Sequence, residues 1–254
     1  MRALLLCLVA LSCFAQTTFD VASIKPNLSG VEGGSIRLTP GGRLVARNAS
    51  LRQLISAADD VRDFQLFGGP PWMASDRFDI EAKAAGDPDQ DRISLMLQAL
   101  LADRFRLTVH REKRELPIYR LTVAKGGSKL QPSKADQCTP MIPPPAQFDP
   151  ATLRPCGGFN TNVGMMLGGS VSAARLAAAL SRTLGRTVVD ETSLGGSYDV
   201  SLHWTPDEAP PAVDNSADPS LFTALQEQLG LRLESAKGPV EVLIVDRAEK
   251  PSEN

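Results

Sequence analysis

The chain has 254 residues, of which 43% are hydrophobic and 22% charged, and its formal net charge is −2. That is globular composition, with enough apolar residues for one large or two small cores. It excludes a nucleic-acid binder built on a basic stripe, and an aromatic content of 5% argues against a base-stacking or sugar-binding platform.

Met1 to Ala15 reads as a secretory signal. Arg2 is the charged n-region, Ala3 to Leu11 a short apolar run, and Cys13-Phe14-Ala15 a small-x-small cleavage site, which predicts a mature chain starting at Gln16 in the periplasm or outside the cell. The apolar run is short for a membrane span, and no later segment reads as one. The alternatives are a buried N-terminal helix, or a lipoprotein signal ending at Cys13. The second fits poorly, because Ala10 stands where a large aliphatic residue normally precedes a lipidated cysteine.

Phe19 to Ile24 alternates as an edge strand and is stopped by Pro26. Ser35 to Leu38 and Arg43 to Arg47 read as a hairpin around Pro40-Gly41-Gly42. Asn48 or Ser50 caps a helix whose stripe is Leu51, Leu54, Ile55 and Ala58. Gly68 to Trp72 is a stiff turn, and Arg77 to Ala82 is a half-buried strand by strict alternation. Ile93 to Ala102 is a second helix. Phe105 to His110 and Leu116 to Ala124 read as paired strands, with the charge run Arg111 to Glu115 as the hairpin tip.

From Gly126 to Gly158 the periodicity vanishes and prolines accumulate, as in a linker. Cys138 and Cys156 are the two cysteines beyond the signal. An oxidising compartment permits a structural disulfide between them, against the alternative of two free thiols. No CxxC or adjacent histidine supports zinc.

The order of elements then recurs. Ser170 or Ser172 caps a helix bearing Leu176, Ala179, Leu180 and Leu184. Tyr198 to Trp204 matches the Arg77 strand. Ser220 opens a helix closed by Gly230, and Leu231 to Leu233 and Val240 to Val245 end the chain as two strands. The predicted fold is α+β, with two related strand-helix-strand-strand-helix-strand-strand halves and helices packed on mainly antiparallel sheets. The expected divisions are a signal at 1–15, a first repeat at 16–132, a Pro-rich linker at 133–168 and a second repeat at 169–254.

The motifs FDVASIKPN, GGPPW, SDRFDIEAKA, MLQALLADRFRLTVHRE, LPIYRLTVAKGG and SLFTALQEQLGLRLE, with the C-terminal PVEVLIVDRAEKPSEN, resemble the "soil-associated protein" family of bacteria. The resemblance covers nearly all of the mature chain. It implies secretion and carries no established activity. Some members of that family join this domain to a membrane metallopeptidase, whose HExxH is absent here. At the level of pattern, Leu176 to Val245 is also similar to the short N-terminal domains of secretins and TonB-dependent receptors, which are periplasmic interaction modules.

No G-x-S-x-G, S-x-x-K, P-loop or G-x-G-x-x-G occurs. His110 and His203 each sit in a predicted strand, and Asp79 and Asp199 occupy matching strand positions. The ordinary reading of all four is a solvated face. Trp72 follows a rigid Gly-Gly-Pro-Pro turn that could present its ring to a ligand or pack it into the core. The candidate ligand contacts are therefore Trp72 and His110, with no catalytic, cofactor or metal residues assigned.

The expected function is a secreted or periplasmic, non-enzymatic module that binds an envelope protein or peptide, through a groove or by strand addition at Phe19 to Ile24 or Val240 to Val245. The alternatives are a small-ligand sensor and an extracytoplasmic hydrolase around His110 and Asp79.

Overall fold

A computed structural model describes residues 18–31, 33–39, 41–134, 138–141, 149, 152–206 and 219–251. The signal read at Met1 to Ala15 lies outside the described residues. The chain is α+β and divides into two compact units: residues up to Glu112 together with those from Glu241 onward, and Lys113 to Val240.

The first unit contains β1 (Val21–Pro26), β2 (Ser35–Thr39), β3 (Arg43–Ser50), α1 (Leu51–Asp59), β4 (Leu66–Gly68), α2 (Trp72–Ser75), β5 (Arg77–Lys83) and α3 (Gln90–Arg104). Four of these strands form an antiparallel sheet in the order β1-β5-β3-β2. Strict alternation in β5 buries Phe78, Ile80 and Ala82 on one face. The stripe of α1 buries Leu51, Leu54, Ile55 and Ala58, and α3 adds Ile93, Met96, Leu97, Leu100 and Leu101 to the same core. Of the two candidate caps, Ser50 is the one used. Its side chain accepts from Gln53 N–H, and the Gln53 side chain returns the bond to Ser50 N–H.

The second unit contains β7 (Gln131–Pro132), β8 (Gly158–Asn162), β9 (Met165–Val171), α4 (Ala173–Leu184), β10 (Val188–Asp190), β11 (Tyr198–His203) and α5 (Leu221–Ala224), the last running into a π-helical turn to Leu229. Its antiparallel sheet has the order β7-β11-β9-β8. The stripe of α4 packs Leu176, Ala177, Ala179 and Leu180 into a core of its own.

The structure departs from expectation at the predicted Phe105 to Ala124 hairpin and at the two separate strands expected over Leu231 to Val245, whereas the hairpin expected at Ser35 to Arg47 forms as β2 and β3. β6 (Thr108–Val123) and β12 (Leu231–Arg247) are each one continuous strand. The run Arg111 to Glu115 is highly charged but holds none of the glycine, asparagine or aspartate that a tight hairpin requires, and a strand can carry such side chains on an exposed face. In β12, Gly238 packs against Ile118, where a Cβ would stand 2.8 Å from the flexible Cδ1 tip and displace it. The unit boundaries at Glu112/Lys113 and Val240/Glu241 fall inside these two strands.

Two further differences follow. In the first unit β12 lies between β4 and β6, so the expected edge at Val240 to Val245 is internal; Leu243 to Val245 pairs in parallel with Leu66 to Gly68. The expected linker at 133–168 ends early, because β8 and the start of β9 lie inside it.

Cys138 and Cys156 form a disulfide with Cα atoms 4.9 Å apart. Backbone bonds from Thr139 N–H to Arg154 O and from Cys156 N–H to Thr139 O flank it. Reduction is expected to cost the second unit about 3 kcal/mol by loop-closure entropy. Thermal unfolding with and without dithiothreitol, beside a Cys138→Ser variant that should not respond to the reductant, measures it.

Candidate functional site

Two residues, Arg47 and Asn48 of β3, stand opposite the single Asp79 of β5, a β-bulge. Asn48 takes a left-handed φ of 50°, and its N–H donates to Asp79 Oδ1 at 2.8 Å. The second unit repeats the arrangement. Its bulge lies opposite Asp199, Ser170 has a φ of 53°, and Ser170 N–H donates to Asp199 Oδ1 at 3.0 Å. The matching aspartates thus hold backbone. The N–H of Asn48, followed by the side chain of Asn27, keeps the Asp79 carboxyl below the usual carboxylate range against the opposing effect of burial.

In the first unit the bulge also organises the loop after β1. Asn27 Nδ2 donates to Asp79 Oδ1 at 2.8 Å, while Asn27 Oδ1 accepts from the backbone N–H and hydroxyl of Ser29. Asn48 Nδ2 donates to the carbonyls of Val31 and Gly33. Gly34 has to be glycine, because a Cβ would stand 2.5 Å from Asn48 O. Although the loop is anchored this way, Leu28 is 93% exposed and Val31 65% exposed. Both residues line a groove of about 690 Å³ that also reaches Asn27, Phe78, Arg77 and Lys250. Lys250 Nζ lies 2.6 Å from Asp76 Oδ2, and that bond is the main cause of the lowered Asp76 pKa.

Arg77 also lines a second depression, of about 500 Å³, with Arg52, Arg62, Ser50, Gln53 and Ser56. Arg52 is held firmly: Nε donates to Asp63 Oδ1 at 2.8 Å, and Nη2 to the carbonyls of Asp63 and Leu66. Arg62 lies 3.9 Å from Asp60, and Arg77 Nη1 donates to Gln53 Oε1 at 3.3 Å. Positions 52, 62 and 77 form no run of charge, so nothing in the sequence marks the cluster.

Trp72 is half-buried against the core. Its ring stacks on Phe105 at 6.5 Å and meets Phe78 edge-on at 6.4 Å, with Lys250 Nζ 5.8 Å from its centroid. Trp204 is buried in the second unit. Both rings pack as core residues do.

His110 is exposed on β6, with Nδ1 2.9 Å from Asp246 Oδ2 and Nε2 3.8 Å from Glu112 Oε2. The two carboxylates face opposite ring nitrogens, so they do not converge on one cation. Asp79 engages Asn27 and Asn48, whereas His110 engages Asp246 and Glu112; the structure does not bring His110 and Asp79 into one hydrogen-bonded group. His203 Nε2 lies 3.4 Å from Ser201 Oγ, but the neighbouring Asp199 is committed to Ser170 N–H. No serine-histidine-aspartate relay is assembled there.

The Asp246 bond raises the His110 pKa above its ordinary value, with Glu112 adding to the effect. A raised folded pKa means that this contribution to stability is complete below the unfolded value near 6.5 and is lost as pH rises through the folded value. An NMR titration of the imidazole should show the elevation, and Asp246→Asn should remove most of it.

Taken together, these features define an α+β scaffold that carries an anchored apolar loop and a groove. Residues 52–248 match the family described as Protein of unknown function (DUF3738), and the chain belongs to that family. No curated protein and no solved structure matches the chain.

Proposed function

We propose that the protein is a secreted or periplasmic, non-enzymatic interaction module that binds an envelope protein or peptide at the groove of the first unit. One observation carries the reading: Leu28 and Val31 are held out in water by a loop whose backbone and asparagines are hydrogen-bonded in place. Fixed, exposed apolar side chains give binding energy with little ordering cost. The groove begins at Pro26 and Asn27, where β1 ends, and β1 is the edge strand of its sheet, as expected for Phe19 to Ile24. The Cys138–Cys156 disulfide suits an oxidising compartment. The paired bulges at Asp79 and Asp199 support descent of the two halves from one ancestral unit, and the short periplasmic domains of secretins offer an analogy of fold.

The test is affinity capture from the organism's own envelope extract, with the chain from Gln16 onward as bait beside a Leu28→Asp, Val31→Asp variant. A saturable partner held by the wild type and lost by the folded variant supports the reading. Capture that is empty, or equal for both baits, overturns it.

A further inference from the structure

In the arginine depression, which shares Arg77 with the groove, Arg52 ties down the loop at Asp63 and Leu66, but Arg62 and Arg77 have no such structural task. Three guanidinium groups, Arg52, Arg62 and Arg77, line it against the single carboxylate of Asp63, in a chain whose net charge is −2. The second unit serves as an internal control. Ser172 caps α4 through Arg175 N–H just as Ser50 caps α1 through Gln53 N–H, yet Ala174 stands two residues after that cap where Arg52 stands in the first unit. Likewise Ser197 precedes Asp199 by two residues, where Arg77 precedes Asp79. The second unit builds the same bulge and the same capped helix without these two arginines, so neither feature requires them; Arg52 is tied instead to the loop at Asp63 and Leu66.

Concentrated like charge disfavours the folded state unless something offsets it. Asp63 engages Arg52, and Asp60 lies at the long distance of 3.9 Å from Arg62. Ser56 also lines the depression, although its Oγ is buried from solvent and has no hydrogen-bond partner among the described residues. Forked guanidinium donors suit a carboxylate, which accepts from two directions at once.

Position then decides what presents the carboxylate. Arg77 lines both hollows, and of α2 Ala74 lines the basic one and Ser75 the apolar one. A ligand that fills both has an aliphatic portion near Leu28 and Val31 and an acid near Arg77. Resting on the interaction-module reading, we propose that the first unit recognises an extended peptide segment in which aliphatic residues adjoin an aspartate, a glutamate or a C-terminal carboxylate, and that Arg52, Arg62 and Arg77 receive the acid.

Selection from a random octapeptide array on the chain from Gln16 onward tests this, followed by fluorescence anisotropy on the selected peptides, their amide counterparts (Asn, Gln or C-terminal amide) and inorganic phosphate. Enriched peptides should carry an acid next to aliphatic residues. Amidation, Arg62→Gln and Arg77→Gln should each weaken binding about tenfold, the loss of one charged hydrogen bond. Affinity should fall as salt rises, because the depression is open to water. The amide peptides separate a side-chain acid from a chain terminus, and competition by phosphate alone would show an adventitious anion site and overturn the peptide assignment. Enriched aliphatic peptides without acids, or arginine variants that bind like the wild type, would also overturn it, while leaving the interaction module standing if Leu28→Asp still abolishes binding. An array with no enriched peptide refutes the peptide ligand, and envelope capture then judges the module separately. Arg52 is left unchanged throughout, since its bonds to Asp63 and Leu66 hold the fold.

Discussion

Phe105→Ala should destabilise the first unit by about 3–5 kcal/mol, the range for truncating a large buried ring. Phe105 is fully buried, and its ring meets Phe78 edge-on at 5.1 Å and stacks on Trp72 at 6.5 Å. Its backbone also serves. The N–H closes α3 onto Leu101 O, and the carbonyl accepts from Glu249 N–H at 2.7 Å. At about 2–4 °C per kcal/mol for a chain of this size, the melting temperature should drop by some 6 °C at the least. Urea unfolding followed by tryptophan fluorescence measures it, since the ring of Trp72 lies against Phe105. A loss below about 1 kcal/mol would mean that this aromatic cluster does not hold the core.

Asp79→Ala is expected to cost about 3–4 kcal/mol, because charged hydrogen bonds are lost and the N–H of the buried Asn48 is left without its acceptor. The same change should free the Asn27 end of the loop that carries Leu28. Asp79→Ala should therefore weaken partner capture as well as stability, whereas Asp199→Ala should affect stability alone. The acid limb carries the same information. A depressed carboxyl stabilises the fold above the unfolded pKa near 3.9, and that contribution is lost as pH falls through the lower folded value. Acid titration of wild type and Asp79→Ala, followed by circular dichroism, should converge at low pH. Parallel curves would show that Asp79 does not contribute through its charge.

The periodic parts of the fold were legible in the sequence. Leu51, Leu54, Ile55 and Ala58 mark α1 by spacing alone, and the alternation from Arg77 to Ala82 marks β5, because burial on one face imposes those periods. The match between Phe78-Asp79-Ile80 and Tyr198-Asp199-Val200 was also visible, although the shared task of the aspartates was not. A bulge depends on the register between strands, which composition does not reveal. The charge run at Arg111 to Glu115 misled because polarity is common to loops and to exposed strands. The groove and the arginine cluster were invisible for a related reason. Leu28 and Val31 look like stray loop hydrophobics until Asn27 and Asn48 are seen to anchor the backbone around them. Arg52 of α1, Arg62 of the loop that follows it and Arg77 of β5 meet only when the chain folds around one depression.

The placement of the unit boundaries inside β6 and β12 bears on how the protein is made. A ribosome delivers the chain from its N-terminus, and domains ordinarily close as they emerge. Here the part of β12 that lies between β4 and β6 in the first unit begins at Glu241, after the whole of the second unit has been synthesised. The half that comes out first is thus the last to be completed, and until then its core lacks Leu243 and Val245. A nascent chain halted before Glu241 can finish the second unit but not the first, so any binding at the groove requires synthesis past Glu241.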